Sequence, residues 1–222
     1  MKIDNPMLPI GDDNSGRRTV PLVTYALIAL NVLFFFVELS AGDAFIMKWA
    51  FIPNRFISDP INDSLTLLTS MFMHAGWLHL GGNMLYLWIF GDNVEDRFGH
   101  IKFTIFYLIC GIAAIFAQLA FSLGSSIPSL GASGAIAGVL GAYILMFPQG
   151  RVSVLQGQQV IKVPALIVIG LWIVLQFFSG IGSIANSAET GGVAYMAHIG
   201  GFVAGFVLAL LLRGNSAPQP TR

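Results

Sequence analysis

The sequence predicts an all-α fold, a bundle of six helices that each cross a lipid bilayer. Three observations carry this. Of the 222 residues, 55% are hydrophobic and only 10% are charged, whereas soluble domains run at about a quarter charged. Mean hydropathy is +0.76. Apolar runs close to the ~20 residues that span about 30 Å of hydrocarbon recur along the whole chain.

Residues 1–20 are polar, with Pro6 and Pro9, three aspartates and few positive charges. They lack the features of a signal-peptide n-region or an Arg-rich transit peptide, and are expected to form a cytoplasmic segment. The first span is expected over 21–40, with Pro21 suited to a first helical turn. Residues 41–75 are too long for a plain turn. Trp49, Phe51, Phe56, Phe72 and Trp77 predict an interfacial structure in the outer leaflet.

The second span, 76–91, is short in apolar length; Leu65–Met73 should lie in the interface or begin the span early. The third span is expected over 101–123. The fourth covers 131–148, preceded by Pro128 and ended by Pro148, since proline cannot continue a helix. The fifth is expected over 160–179 and the sixth over 193–213. Residues 214–222 read as a polar, disordered cytoplasmic tail. No internal repeat is visible, so 21–213 is read as one membrane domain. Net charge is zero, which gives no indication of a nucleic-acid partner. Cys110 is the only cysteine, so no disulfide forms within the chain; it reads as a small core residue.

Positive charges set the direction. With the N-terminus in the cytoplasm, Lys2, Arg17, Arg18, Arg97, Lys102, Arg151, Lys162, Arg213 and Arg222 fall inside, and only Lys48 and Arg55 outside. An even number of spans then puts both termini in the cytoplasm of a cell membrane, plasma or bacterial inner.

That direction aligns polar residues on three spans. Spans two, four and six all run from outside to inside. Ser133, His198 and His79 each fall within the first few residues of their span, and depths within a helix follow from 1.5 Å per residue. Polar groups inside a bilayer are costly and default to function. Ser133 stands between glycines in Gly131-Ala132-Ser133-Gly134, where a helix start offers free N–H groups and a positive dipole end to a developing oxyanion. His198 lies among Gly191, Ala194, Gly201 and Gly205 at helical spacing, and Ala137 and Gly141 share the face of Ser133. Two small-residue stripes let helices approach closely, as a serine–imidazole hydrogen bond between helices requires. His79 and Asn83 are four apart and face the same way; both can donate to an oxyanion. Helix–helix hydrogen bonding is the plainer role for that pair. The eleven carboxylates all fall in loops, termini or span ends, such as Glu38, so the histidine of such a dyad must be oriented by packing or by a neutral group. No metal pattern is present: His74 and His79 are five apart, and there is no H-E-x-x-H.

These residues resemble the rhomboid family of intramembrane serine proteases, from about Pro21 to Arg213. Gly131–Gly134 is similar to the family's nucleophile motif, and Ala197-His198 with the glycines after it to its sixth-helix motif. His74, His79 and Asn83 match its second-helix residues, and Gly91–Gly99 its cytoplasmic turn, where Glu95 would be structural. The resemblance implies Ser133 as nucleophile and His198 as general base. His79, Asn83 and the Ser133 N–H would form the oxyanion site. It further implies no cofactor, and substrates that are single-pass membrane proteins cut in or near their transmembrane helix, usually after a small residue. The helix containing Trp172 and the stretch from Ser179 to Gly192 would admit substrate and cap the site.

Two positions depart from the family pattern. Leu65-Thr66 stands where many members carry Trp-Arg, so the first loop needs another anchor. Ala137 stands where many carry an aromatic residue against the histidine, so the imidazole must be held another way. A second functional class is a weak or silent relative that binds membrane clients. Such relatives usually lack the serine or the histidine, and this chain has both. A transporter would show inverted repeats and mid-membrane ionisable residues, and neither is seen.

Overall fold

The computed structural model describes residues 8–185 and 194–212. Six long helices lie among them: α1 (Leu22–Ala41), α6 (Trp77–Phe98), α7 (His100–Leu119), α8 (Ser133–Met146), α9 (Ala165–Ala185) and α10 (Tyr195–Leu212). The mainly helical, polytopic membrane class stands. Four short helices fill the first loop: α2 (Asp43–Trp49), α3 (Pro53–Ser58), α4 (Pro60–Asp63) and α5 (Thr66–Thr69), followed by a 3-10 turn over Ser70–Phe72.

Several boundaries differ from expectation. The second span does not end at 91; α6 runs on to Phe98 and stops at Gly99, whose φ of 76° ends it before α7 begins. The polar end of α6 is not a loose turn, because its carboxylates have work inside the helix. Glu95 is fully buried and accepts from the N–H groups of Val23 (2.9 Å) and Thr24 (2.7 Å) and from the Thr24 hydroxyl (2.6 Å). A carboxylate there satisfies the orphan amides at the start of α1. Asp96 accepts from the N–H groups of Arg18 and Thr19. The third span stops at Leu119, short of 123.

The fifth span begins late. Residues 160–164 are not helical but belong to a three-stranded antiparallel sheet of β1 (Leu8–Asp12), β2 (Arg151–Gln156) and β3 (Gln159–Pro164), in the order β1-β2-β3. Alternation in Arg151–Gln156 buries Val152 and Val154 on one face, the period of a strand. Gln156 pairs with Gln159 across a two-residue turn whose Gly157 has φ 61°, as a type II′ hairpin requires. Pro164 ends β3, and α9 begins at the next residue, Ala165. Pro9 is tolerated because β1 is an edge strand. The N-terminal segment is thus partly structured: β1 pairs with β2, and Asp12 accepts hydrogen bonds from the Tyr143 hydroxyl of α8 (2.8 Å) and the Asn93 amide of α6. Burial, with the negative charge of Asp92 adding to it, pushes the Asp12 carboxyl up to about 7 against the opposing hydrogen bonds. The tail 214–222 lies outside the described residues.

The first loop has its own anchor. The Arg55 guanidinium donates to Asp63 (2.6 Å), to the carbonyl of Ala50 (2.6 Å) and to that of Met47. It supplies the tie that Leu65-Thr66 cannot. Phe51 and Ser129 exchange backbone hydrogen bonds at 3.2 and 2.7 Å, so the loop also grips the segment entering α8.

At the centre lies α8. Every residue from Gly134 to Tyr143 is buried, and a helix apolar on all sides belongs inside a bundle. It packs against α10, α7 and α6. The closest approach is to α10. A Cβ on Gly205 would stand 2.5 Å from the Gly138 carbonyl carbon, and one on Gly201 2.9 Å from that of Gly134. The stripe on α8 therefore runs Gly134, Gly138, Gly141: Gly141 is as expected, while the first two positions lie one residue on from the expected Ser133 and Ala137. The offset arises because the helices meet backbone to backbone, leaving the Ser133 hydroxyl at the margin of the contact instead of beneath it.

Candidate active site

α8 begins at Ser133. The turn before it depends on Gly131, whose φ of 130° and closeness to His79 both exclude a side chain: a Cβ there would lie 2.9 Å from the imidazole. The Gly131 N–H donates to the Ser70 carbonyl at 2.9 Å, so the first loop fixes this turn. The first helical hydrogen bond runs from the Ile136 N–H to the Ala132 carbonyl. The amides of Ser133, Gly134 and Ala135 are thus outside the helical ladder, and they surround the hydroxyl with donors.

The glycine contacts bring α10 against α8, and His198 Nε2 lies 2.7 Å from Ser133 Oγ. On the other side of the ring, Nδ1 lies 2.7 Å from Gln176 Oε1. The Trp172 ring centroid is 5.6 Å from that of His198, at 40°. Trp172 and Gln176 are four apart on α9, so one face presents both. Ala137, fully buried, leaves the other side of the imidazole without an aromatic.

His79 lies against Gly131, close to Ser133. Its Nδ1 accepts from the Ala75 N–H at 3.4 Å, which leaves the proton on Nε2, the nitrogen facing the glycine turn. Asn83 is buried, and its Nδ2 has no hydrogen-bond partner among the described residues. A buried donor of this kind has its desolvation cost unmet until an acceptor arrives. His74 is buried with its ring edge-on to His79, centroids 5.1 Å apart. Its backbone N–H donates to Glu38 at 3.0 Å, which ties the start of α6 to α1. Of the expected packing glycines, Gly131 clears His79, Gly134 faces Ala114 of α7, and Gly201 faces Gly134. No cluster of three potential metal ligands occurs among the described residues. Of the capping stretch expected from Ser179 to Gly192, residues 179–185 form the end of α9 and the remainder lies outside the described residues.

The arrangement offers a hydroxyl hydrogen-bonded to an imidazole, with the His79 ring against the turn before it and the free amides of the α8 N-terminus at its base; Asn83 follows His79 by one turn of α6. A small cleft lined by Ser70, Met71, Ala114, Gly131 and Ala197 opens beside Ser133. Sequence reasoning missed Gln176. The signal was present: it is the one long polar side chain in the apolar run from Ala165 to Phe178, and the cost argument applied to Ser133 and His198 applies equally to it. Arg55 was also missed as an anchor, because two of its three partners are backbone carbonyls that a sequence pattern does not display.

Residues 62–215 match the family described as Rhomboid domain. The chain is 34% identical over 194 residues to Rhomboid protease GluP of Bacillus subtilis, covering 86% of this chain and 35% of that protein. It is 29% identical over 188 residues to Rhomboid protein 1, mitochondrial, of Saccharomyces cerevisiae, covering 82% and 51%. To the human presenilin-associated rhomboid-like protein, mitochondrial, it is 31% identical over 147 residues, covering 64% and 36%. The chain thus spans between about a third and a half of the length of these relatives. With more than half of its residues inside the domain match, and the helical arrangement described above, the chain belongs to the rhomboid family.

Proposed function

We propose that this chain is an intramembrane serine endopeptidase that cleaves single-pass transmembrane proteins by a Ser133–His198 dyad. The observation that carries the proposal is the 2.7 Å separation of Ser133 Oγ and His198 Nε2. Nε2 takes the hydroxyl proton as Oγ attacks the scissile carbonyl carbon. The oxyanion receives hydrogen bonds from His79 Nε2–H, Asn83 Nδ2–H and the Ser133 N–H. His198 then passes the proton to the leaving amine; the same nitrogen takes a proton from the water that attacks the acyl carbon and returns it to Ser133 Oγ as the ester bond breaks, releasing the new carboxyl end. No cofactor is required. The small cleft beside Ser133 suits a small residue on the acyl side of the cut bond.

Depth supports the intramembrane reading. With 14 residues, α8 is about 21 Å long, so in about 30 Å of hydrocarbon one end lies some ~9 Å inside. We take the serine end to be the recessed one. The membrane domain is then 21–213, with 1–20 and 214–222 cytoplasmic, in a plasma or bacterial inner membrane. Arg17, Arg18 and the sheet that holds Arg151 and Lys162 gather at the α6 C-terminal end, while Lys48 and Arg55 sit in the first loop.

The test is cleavage of a single-pass reporter and labelling by a serine-reactive phosphonate in detergent. Wild type should cleave, with or without EDTA. Ser133→Ala and His198→Ala should each abolish cleavage while remaining folded, and the double variant should be scarcely worse than either, because the pair acts as a unit. Activity surviving in Ser133→Ala, or lost on chelation, overturns the reading. A wild type that neither cleaves nor labels leaves a client-binding protein on the same fold.

A further inference from the structure

We propose that Gln176 is a positioning residue that completes a Ser133–His198–Gln176 triad, its amide oxygen fixing which ring nitrogen of His198 carries the proton. The inference rests on the serine-protease reading for its catalytic consequence, but its structural content stands apart from it.

The chemistry follows from two hydrogen bonds on one ring. A neutral imidazole has one donor nitrogen and one acceptor nitrogen. Gln176 Oε1 lies 2.7 Å from Nδ1 and is an acceptor only, so it requires the proton on Nδ1. That leaves the Nε2 lone pair directed at the Ser133 hydroxyl, 2.7 Å away, and the hydroxyl becomes the donor. This is the tautomer a general base needs. Without the amide, an Nδ1–H in an apolar setting would lack a partner, and a buried donor left unmet is costly. The ring would instead protonate Nε2 and donate to Ser133, which is the wrong direction for catalysis. Neutral amides serve as the third member elsewhere, in Cys-His-Asn sites.

Placement supports the role. Trp172, Gln176 and Gly180 recur every four residues and form one face of α9. A Cβ on Gly180 would stand 2.6 Å from Met196 and 3.3 Å from Tyr195 of α10, so the glycine lets α9 close on the start of α10, where His198 lies. Trp172 covers the ring while Gln176 holds its edge. Among the described residues, no other side chain hydrogen-bonds the ring. α8 presents Ser133 to it, and α7 presents Gln118, whose side chain accepts from the Ala197 N–H at 3.3 Å. Among the described residues, His79 is the ionisable group whose charge bears on the ring.

The experiment pairs Gln176→Met, which keeps the length and loses the acceptor, with Gln176→Glu, which keeps the acceptor and adds charge. Long-range nitrogen–proton correlation of 15N-histidine protein in detergent, with the His198 signals assigned from His198→Ala, reads the tautomer. Wild type should show the proton on Nδ1, and Gln176→Met should move it to Nε2. Cleavage by Gln176→Met should fall about 10²-fold or more in kcat with KM unchanged. Gln176→Glu should retain activity at high pH, with the acid limb of its kcat/KM profile displaced upward, because a carboxylate beside the ring favours imidazolium. A residue that merely packs would give a wild-type tautomer in Gln176→Met and no displacement in Gln176→Glu. That tautomer result overturns the proposal whatever the activity. If the tautomer moves as expected but wild type cleaves nothing, the orienting role stands and the protease reading fails.

Discussion

Replacing Gly201 by alanine tests whether helix spacing sets the dyad. A Cβ at 201 would stand 2.9 Å from the carbonyl carbon of Gly134, and nearer still to its oxygen. Carbon atoms in contact sit at about 3.5–4.0 Å. The obstacle is backbone, so no rotamer change relieves it, and α10 must withdraw from α8 by roughly 0.6–1.1 Å. His198 is one helical turn from Gly201. The Ser133–His198 distance of 2.7 Å then opens to about 3.3–3.8 Å, beyond the ~2.6–3.2 Å reach of a nucleophile–base pair. A misplacement of about 1 Å costs on the order of 10² in rate, and overpacking costs about 1–3 kcal/mol of stability. The assays are reporter cleavage, phosphonate labelling of Ser133 and the thermal midpoint in one detergent. Gly170→Ala on α9 is the control, since nothing lies within 4 Å of its Cβ position. It should match wild type or gain up to about 0.5–1 kcal/mol, the helix-interior cost of glycine. Gly201→Ala with wild-type turnover would refute the argument, since the glycine contact would then not set the distance.

Three further outcomes are expected. Replacing His79 or Asn83 by alanine should lower kcat by about 10²–10³, the usual loss for one oxyanion donor, while phosphonate still reaches Ser133 more slowly; unchanged turnover in both would make them helix–helix contacts only. Arg55→Ala strands two loop carbonyls and Asp63, and should lower stability by about 1–3 kcal/mol, the range for losing charged hydrogen bonds, read as a fall in thermal midpoint with substrate KM raised. Asp12 holds its proton more tightly in the fold, at about 7, than in the unfolded chain, at about 3.9. Between those values the folded state binds more protons, so its contribution falls as pH rises and is lost above about 7. Asp12→Asn should therefore flatten the decline in thermal midpoint between pH 5 and 8, and an unaltered slope would remove Asp12 as its cause.

How much of this was legible depended on the kind of signal. The spans around Leu27, Phe106 and Val203 were readable because a run of apolar side chains is a local property, and the bilayer imposes one length on it. Ser133, His198, His79 and Asn83 stood out because a polar group in such a run has a cost that needs a reason. The 160–164 segment misled because its valines and isoleucine read as apolar length; the alternation and the Gly157 turn marked a strand instead. Gln176 was passed over although the same cost argument applied to it.

By itself the sequence determined the helical membrane class, the number of long helices, the charge asymmetry between their ends and the polar residues that share a depth. These follow from transfer free energy and helical rise, which act along the chain. Only the tertiary structure decided which faces meet. A stripe of glycines states that two helices approach, but not that Gly134 and Gly138, instead of Ser133 and Ala137, bear the contact. Nor does it state that α9 delivers an amide oxygen to His198, or that β1 returns from the N-terminus to pair with β2. Those are hydrogen bonds between residues distant in sequence, 22 apart for His198 and Gln176 and 65 for His198 and Ser133. Their distances depend on close backbone packing to within about 1 Å, a precision that spacing along one helix does not contain.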